Sequence, residues 1–306
     1  MSTVRELKGQ IHRLSEIGDI MAAMKNLAFM ETRKLERHLN AQKNMVERIR
    51  YSAGLCISHF PRTLPEGSPE QTLCVMFGSE RGFCGDFNQR LILQGQSYLD
   101  DLSVEGVITL GHRLNQRSIP GQRLLAALPG ASASEEVESV LVGLAGQLDT
   151  LEQELGSFAL VVLSHYPEGG MIQLDRVLPP FRDILPVSAA GVSPLLGFGL
   201  QDLMLGLGEH YLMAELQRII CCSLMAENQQ RIIHLQGAIQ KLEQHVQSLQ
   251  RRSHRMRQEA IIEEIEIILM NQTEFIEDPD ASCAKIPRRQ LDINLKGKDK
   301  GQTRVQ

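Results

Sequence analysis

Apolar residues recur in steps of three and four along two long segments, one near each end of the chain. The C-terminal series is Leu235, Ile239, Leu242, Val246, Leu249, Ser253, Met256, Ala260, Glu263, Ile267 and Met270. The N-terminal series is looser: Val4, Leu7, Ile11, Leu14, Gly18, Met21, Lys25 and Ala28. Such spacing places one stripe on one side of a helix and is typical of a coiled coil. We expect the seam residues Leu242, Val246 and Leu249 to be buried against the N-terminal helix. Gly18 and Ala28 carry little bulk, so they would let the two backbones approach closely.

Proline is absent from both segments, which permits long unbroken helices. The first proline is Pro61, and none lies between Pro194 and Pro279. This matters because proline removes a backbone donor and clashes inside a helix. The sequence therefore predicts an N-terminal coiled-coil helix in residues 1–60 and a C-terminal one in residues 198–270. We expect the pair to be antiparallel, since the chain between them can turn back on itself. Two long helices of an ordinary bundle are the alternative.

Short apolar runs and helical segments alternate in the middle of the chain. Strands are predicted at 73–77, 107–110, 158–163 and 171–178, and helices at 87–99, just after Gly111, and at 135–154. Strands separated by helices favour a small α/β domain with a mostly parallel sheet. We assign this inserted domain to residues 70–195. The predicted fold class is therefore α+β or α/β: an antiparallel two-helix coiled coil with an inserted small α/β domain.

Composition excludes several classes of protein. The chain has no tryptophan and only 4% aromatic residues, which suits helix pairs better than a large globular core. The formal net charge of -5 argues against a nucleic-acid-binding protein. No apolar run approaches the roughly 20 residues of a membrane span. The six cysteines and nine histidines show no metal-ligand spacing, so we predict reduced, buried thiols in the cytoplasm and no metal site.

A glycine-bearing turn follows the first predicted strand. It reads Gly78-Ser79-Glu80-Arg81-Gly82-Phe83-Cys84-Gly85. A strand-to-helix turn of this kind can bind phosphate through backbone N–H groups. The spacing is not the dinucleotide fingerprint, however, and no Lys-Ser or Lys-Thr follows as a P-loop requires. Cys84 lies near Arg81, which can activate a thiol, but no histidine is close in sequence to act as a base. We favour a structural turn and keep a phosphate or catalytic site as the alternative.

Three blocks of the sequence before about Met270 occur in a distinctive order and spacing. The first contains Ile11, Ile20, Ala23, Met24, Ala28, Arg33 and Lys34. The second runs from Ser79 to Asn88. The third comprises Ser223-Leu224-Met225-Ala226-Glu227, Arg231 and Met256-Arg257-Gln258-Glu259-Ala260-Ile261. Together the blocks resemble the γ subunit of F-type ATP synthases, which has isoleucine, Ile-Thr-Lys-Ala-Met and Arg-Lys positions in the first block and Ser-Thr-Asp-Arg-Gly-Leu-Cys-Gly-Gly-Leu-Asn in the second. The order and spacing of the blocks, more than any one of them, carry the resemblance.

The resemblance implies a central rotor stalk that transmits torque. It implies as partners the α and β subunits of a catalytic ring, the ε subunit and a membrane c ring. The rotor would couple proton or sodium transport to ATP synthesis or hydrolysis. It implies no active site, cofactor, small-molecule substrate or nucleic acid for this chain itself. It also implies a peripheral position at the cytoplasmic face of the bacterial inner membrane.

The resemblance further implies roles for individual residues. Those expected to contact the β subunits are Met24, Lys25, Arg231, Arg257 and Gln258. Those expected to form a foot and docking turn are Arg81, Gly82, Gly85 and Asn88. The alternative for each β contact is an ordinary solvated residue on a helix face.

The sequence departs from the family at several points. Asp19 and Ala22 stand where the family usually has lysines. The chain also continues past the usual end, and the polar composition of residues 271–306 predicts a flexible extension. These departures indicate a divergent branch, with the sodium-translocating type as one candidate. Two other functions remain open: a coiled-coil scaffold or regulator, and a nucleotide-binding α/β enzyme with helical arms.

Overall fold

The computed structural model describes residues 4–60, 69, 71–117, 119–184, 197 and 199–273. Two long helices, as predicted, lie at the ends of this part of the chain. Helix α1 spans Val4–His59 (56 residues) and helix α5 spans Leu200–Thr273 (74 residues). Of the predicted extension, residues 271–273 belong to α5, and the remainder lies outside the described residues. None of the described helices combines the length and hydropathy that crossing a membrane requires.

The chain divides into two compact units, residues 1–250 and 251–306. The first unit contains α1, the α/β domain and most of α5. In the second, the structure describes the α5 residues 251–273. The domain boundaries predicted near residues 60, 70, 195, 198 and 270 are the limits of the helices and of the inserted domain. The division into two compact units does not test them, and they stay predictions.

Helices α1 and α5 run antiparallel within the first unit. Lys25 Nζ donates to Gln236 Oε1 at 2.8 Å, and Arg50 Nη1 donates to the Tyr211 hydroxyl at 3.5 Å. The residue numbers thus rise along one helix as they fall along the other. This confirms the predicted antiparallel arrangement.

The stripe predicted on α1 is present and extends beyond Ala28. The further side chains at steps of three and four are all buried or half-buried: Thr32, Leu35, Leu39, Gln42, Val46, Ile49, Ala53 and Cys56. A Cβ atom on Gly18 would lie 3.2 Å from Leu242 Cδ2. Glycine at this position therefore lets the leucine of α5 approach the backbone of α1, as the sequence predicts.

The α/β domain is built on a five-stranded sheet in the order β3-β2-β1-β4-β5. Its strands are β1 Gln71–Phe77, β2 Gly106–Leu110, β3 Leu124–Leu128, β4 Phe158–His165 and β5 Ile172–Leu178. Strands β1 to β4 are parallel, and β5 pairs antiparallel with β4, so the mostly parallel sheet is confirmed. The sequence does not predict β3. Its Leu-Leu-Ala-Ala-Leu residues favour helix, and only its place at the sheet edge makes it a strand.

Helices cover both faces of this sheet. On one face lie α2 (Phe87–Asp101) and α3 (His112–Asn115), packed on residues such as Met76 of β1. On the other lie α4 (Val137–Leu155) and parts of α1 and α5, packed on residues such as Val75. Successive strand side chains point to opposite faces, which explains the nearly continuous apolar sequences of β1 and β4.

The order of the strands reverses beside β1. From β1 the chain moves outward through β2 to β3, and α4 then returns it to β4 on the other side of β1. In open α/β sheets, ligands bind outside the carboxyl ends of the strands at such a reversal. The glycine-bearing turn follows β1 at this point, which makes it the candidate functional site.

Candidate functional site

The turn between β1 and α2, residues 78–86, has a backbone shape that depends on glycine and on close packing. Phe83 and Gly85 have positive φ angles of 66° and 62°. A Cβ atom on Gly78 would lie 2.3 Å from Leu114 Cβ and 2.8 Å from Asn88 Oδ1. Only glycine fits at residue 78, because α2 and α3 both approach the backbone there.

Side chains of the α/β domain hold the turn from its own side. The backbone N–H of Ser79 donates to Asn88 Oδ1, and Asn88 Nδ2 donates to Ser79 Oγ, both at 2.9 Å. Glu80 Oε2 accepts hydrogen bonds from the backbone N–H groups of His112 and Gly130, each at 2.8 Å. The turn is therefore tied to α2 and to the segments that follow β2 and β3.

A buried ion pair of α5 holds the turn from the other side. Glu227 Oε2 accepts the N–H of Glu80 at 3.1 Å, and Glu227 Oε1 accepts the N–H of Arg81 at 3.2 Å. Arg231, four residues along the helix, pairs with Glu227 and donates from Nε to the carbonyl of Gly82 at 3.2 Å. Glu227 is 2% exposed and Arg231 5% exposed. The backbone of the turn thus donates hydrogen bonds to Glu227 and accepts one from Arg231.

Burial and charge act in opposite directions on this pair. Burial raises the pKa of Glu227, whereas the Arg231 charge and the two backbone donors oppose that rise. Nearby Cys84 lies 3.5 Å from Arg231 Nη2. Burial raises the pKa of the Cys84 thiol to about 12. This thiol is protonated at neutral pH, which argues against the activated-nucleophile alternative.

The other described cysteines resemble Cys84. All five cysteines in the part of the chain that the structure describes are free and buried. Each shows a pKa raised by burial. They are therefore small packing residues, as the sequence predicts.

His165 supports the turn from the carboxyl end of β4. Its ring stacks on Phe87, the first residue of α2, with ring centroids 3.8 Å apart, and its Nε2 donates to the Phe87 carbonyl at 2.9 Å. The side chain is fully buried, and burial lowers the pKa of His165 to about 4. The imidazole is therefore neutral at physiological pH and serves in packing and hydrogen bonding.

A second buried arginine connects α5 to strands β4 and β5. Arg218 bonds both oxygens of Glu215, from Nη2 at 2.6 Å and from Nε at 2.8 Å. Arg218 also donates to the Tyr166 hydroxyl, and its Nη2 lies 3.6 Å from Asp175 Oδ2. Burial raises the pKa of Asp175, and the Arg218 charge opposes that rise.

Helix α1 has its own polar contact with the α/β domain. Glu31 Oε2 accepts the backbone N–H of Ser134 at 3.1 Å. Lys34 Nζ bridges Glu31 and Glu135 at 2.9 and 3.0 Å. Both long helices are therefore bonded to the same domain, α1 at the start of α4 and α5 at the turn.

The predicted foot residues come together, whereas the predicted β contacts are spread out. Arg81, Gly82, Gly85 and Asn88 all belong to the turn or its support. Met24 and Lys25 are half-buried on α1, and Arg257 and Gln258 are exposed on the α5 part of the second unit. The predicted seam residues Leu242, Val246 and Leu249 are half-buried in this chain.

Arg231 differs from the other predicted β contacts. Its side chain is buried, and it donates to Glu227, Asn228 and Gly82 of its own chain. In this chain Arg231 is therefore bonded to the turn, and its contact with a β subunit stays a prediction.

The sequence does not predict that two acid–arginine pairs of α5 are buried. Glu215 with Arg218 and Glu227 with Arg231 have the spacing of ordinary helix-surface ion pairs. The available signal is their setting, since the two pairs flank an apolar part of α5, Ile219 to Ala226.

The sequence of this chain is similar to those of known proteins. A sequence model of the family described as ATP synthase matches residues 3–269. The ATP synthase gamma chain of Phenylobacterium zucineum (strain HLK1) is 26% identical over 215 residues, covering 64% of this chain and 70% of the relative. The gamma chain of Pelagibacter ubique (strain HTCC1062) is 27% identical over 124 residues, covering 37% of this chain and 43% of that relative.

Solved structures share the fold. A chain of the Euglena gracilis mitochondrial ATP synthase, from a structure of OSCP, F1 and the c-ring, superposes with a TM-score of 0.58. It is 13% identical, and the match covers 93% of this chain and 98% of that one. A chain from the central stalk and c-ring of the Tetrahymena thermophila mitochondrial ATP synthase superposes with a TM-score of 0.51. It is 15% identical, and the match covers 72% of this chain and 99% of that one. Since the family match spans nearly all of the described residues, the chain belongs to the ATP synthase family, as a subunit of the gamma type.

Proposed function

We propose that this chain is the central rotor stalk of an F-type ATP synthase or ATPase. In this role it transmits torque between an ion-driven c ring and the catalytic ring of α and β subunits. The observation that carries the proposal is the antiparallel pair of α1 and α5, bonded to one α/β domain through both helices. Such a body turns as a unit, which torque transmission requires.

The coupling is a shift of populations among the β subunits. Each orientation of the stalk makes different contacts with different β subunits, and so favours a different nucleotide affinity in each. The ion that drives the c ring is a proton or sodium.

We place the partners along the chain as follows. The α/β domain, with the turn at residues 78–86, faces the ε subunit and the polar loops of the c ring. Met24 and Lys25 face the acidic lever of β, and Arg257 and Gln258 face a β loop. The subunit is then peripheral, at the cytoplasmic face of the bacterial inner membrane.

Purification of the complex from its native source tests the rotor function. We expect an affinity-tagged chain to co-migrate with α and β subunits and with ATPase activity. A stable symmetric dimer without these partners would favour the scaffold alternative. Saturable nucleotide binding by the isolated chain would favour the enzyme alternative.

A double substitution tests the β contacts on α5. Arginine makes a fork-shaped contact with carboxylates and carbonyls, so Arg257→Ala with Gln258→Ala should lower ATP hydrolysis or its coupling in the assembled enzyme. Arg255→Ala is the matched control, since Arg255 is exposed on the same helix. Wild-type hydrolysis and coupling in the double variant would remove the assignment.

A further inference from the structure

The carboxylate of Glu227 lies where an α/β domain of this topology would bind an anionic ligand. The turn follows β1 at the reversal of strand order, and two successive backbone N–H groups, those of Glu80 and Arg81, point at one carboxylate. Successive N–H groups of this kind form anion-binding concavities. We propose that Glu227 is a built-in anionic ligand of the α/β domain, supplied by α5, which gives the turn its shape.

Both oxygens of the carboxylate take part in this binding. Oε2 accepts from Glu80 and Oε1 accepts from Arg81, as the oxygens of a bound oxyanion would. Arg231 balances the negative charge and donates to Gly82 O, so the next residue of the turn is held as well. Hydrogen bonds to a charged acceptor are about twice as strong as neutral ones, which suits a contact between two parts of the fold.

Little space remains beside the carboxylate for an external anion. The cavity there, lined by residues that include Gly78, Ser223 and Glu227, has a volume of about 20 Å³. That is room for about one water molecule. A phosphate therefore cannot bind next to Glu227 and would have to replace it. The glycine-bearing turn therefore has its Glu80 and Arg81 N–H donors already bonded within the chain.

Glu215 provides a matched comparison on the same helix. It is also buried and also paired with an arginine, Arg218, within one helical turn. Both of its carboxylate oxygens accept hydrogen bonds from that guanidinium, whereas those of Glu227 accept from backbone N–H groups of the turn. A purely structural role for buried acid–arginine pairs predicts similar behaviour for Glu215 and Glu227, whereas the built-in ligand predicts different behaviour.

Amide hydrogen exchange on the full-length chain, with chemical rescue, tests the proposal. In Glu227→Ala, exchange at the Glu80 and Arg81 amides should rise by about tenfold or more, because both lose a charged acceptor. Sodium formate supplies a small free carboxylate and should restore protection, whereas sodium chloride at equal ionic strength should not. In Glu215→Ala the two amides should stay protected, and formate should change nothing there.

Two results would overturn the proposal. One is a formate effect no larger than that of chloride, and the other is equal exposure of the two amides in Glu215→Ala. If Glu227→Ala does not fold, Glu227→Gln replaces it, because glutamine keeps the volume but loses the charge and one acceptor. Full protection of both amides in Glu227→Gln would then count against the anionic ligand.

The mechanical consequence, that the α/β domain and α5 rotate together through this contact, rests on the proposed function. Amide exchange is measured on the isolated chain, so its outcome does not depend on that function. Torque coupling in a complex that contains Glu227→Ala is a separate measurement. Lost exchange protection with full coupling would remove the mechanical consequence and leave the built-in ligand in place.

Discussion

Two neighbouring stretches of α5 bury different kinds of groups. Residues 211–239, beside the α/β domain, bury Glu215, Arg218, Glu227, Asn228 and Arg231 among apolar side chains. Residues 242–249 half-bury three apolar side chains, and the residues between those three are exposed. The first stretch combines apolar burial with directional hydrogen bonds and ion pairs, whereas the half-buried side chains of the second stretch are apolar.

The two stretches have different effects: the first fixes the orientation of α5, and the second holds α1 and α5 together. Hydrogen bonds require a particular distance and angle, so the first stretch fixes how α5 is rotated against the α/β domain. Apolar burial is non-directional and roughly proportional to area, so the second stretch holds the helices together with less angular control. Substitutions in the two stretches should therefore fail in different ways and by different amounts.

The largest effect is expected from breaking a buried ion pair in the first stretch. Arg218→Ala leaves Glu215 and Asp175 buried without their cation, which costs about 3–5 kcal/mol for an uncompensated buried charge. The free energy of unfolding from urea titration measures this loss. Arg255→Ala, which removes an exposed arginine, should stay within about 0.5 kcal/mol of wild type. Equal losses in both variants would show that the buried contacts add nothing to this stretch.

The next effect is a pH dependence that belongs to the α/β domain. Burial lowers the pKa of His165 to about 4, so the unfolded chain binds a proton between about pH 6.5 and 4 that the folded chain does not. Stability from this residue is present above pH 6.5 and falls with pH, by up to about 3 kcal/mol at pH 4. His165→Gln should flatten the stability curve in that window. A variant whose stability falls as steeply as that of wild type would assign the pH dependence to other groups.

A moderate effect is expected in the second stretch. Leu249→Asp places a carboxylate on the half-buried seam and should destabilise the chain by about 1–2 kcal/mol, since the site is only partly desolvated. In the assembled enzyme it should also uncouple ATP turnover from rotation. Ser248→Asp adds the same charge at an exposed neighbour and is the control. Unchanged stability and coupling in Leu249→Asp would contradict a seam at this position.

The smallest effect on stability is expected for Lys25. Its bond to Gln236 is exposed, so Lys25→Ala should change the free energy of unfolding by less than about 0.5 kcal/mol. If Lys25 also contacts β, the same variant should alter ATP hydrolysis in the complex far more than it alters stability. An unchanged hydrolysis rate would leave Lys25 as a residue of the helix pair only.

Regular repeats make the helices and most strands predictable from sequence. The stripe on α1 follows the helical period of its buried side, and the apolar runs of β1 and β4 reflect burial on both faces of the sheet. Strand β3 has no such signal, because its Leu and Ala residues suit helix and its identity comes from pairing with β2. Short segments of this kind are decided by tertiary context.

The candidate site is only half predictable for a related reason. Gly78, Gly82 and Gly85 mark a turn in the sequence, so its place after β1 follows from local chemistry. Its partner Glu227 lies nearly 150 residues away, as the Glu80 contact shows. The spacing of a Glu–Arg pair alone does not distinguish an exposed pair from a buried one, because the burial depends on which face of α5 meets the α/β domain.

The contacts of α1 and α5 with one domain also settle the axial register of the helix pair. A heptad seam repeats itself, so a slip by seven residues, roughly 10 Å, would again place apolar side chains opposite one another. Glu31 on α1 and Glu227 on α5 bond backbone N–H groups of the same domain, and the two bonds cannot both survive such a slip. The alignment of the two helices is therefore set at the α/β domain, where the sequence does not repeat, and this fixes the alignment along the repetitive part as well.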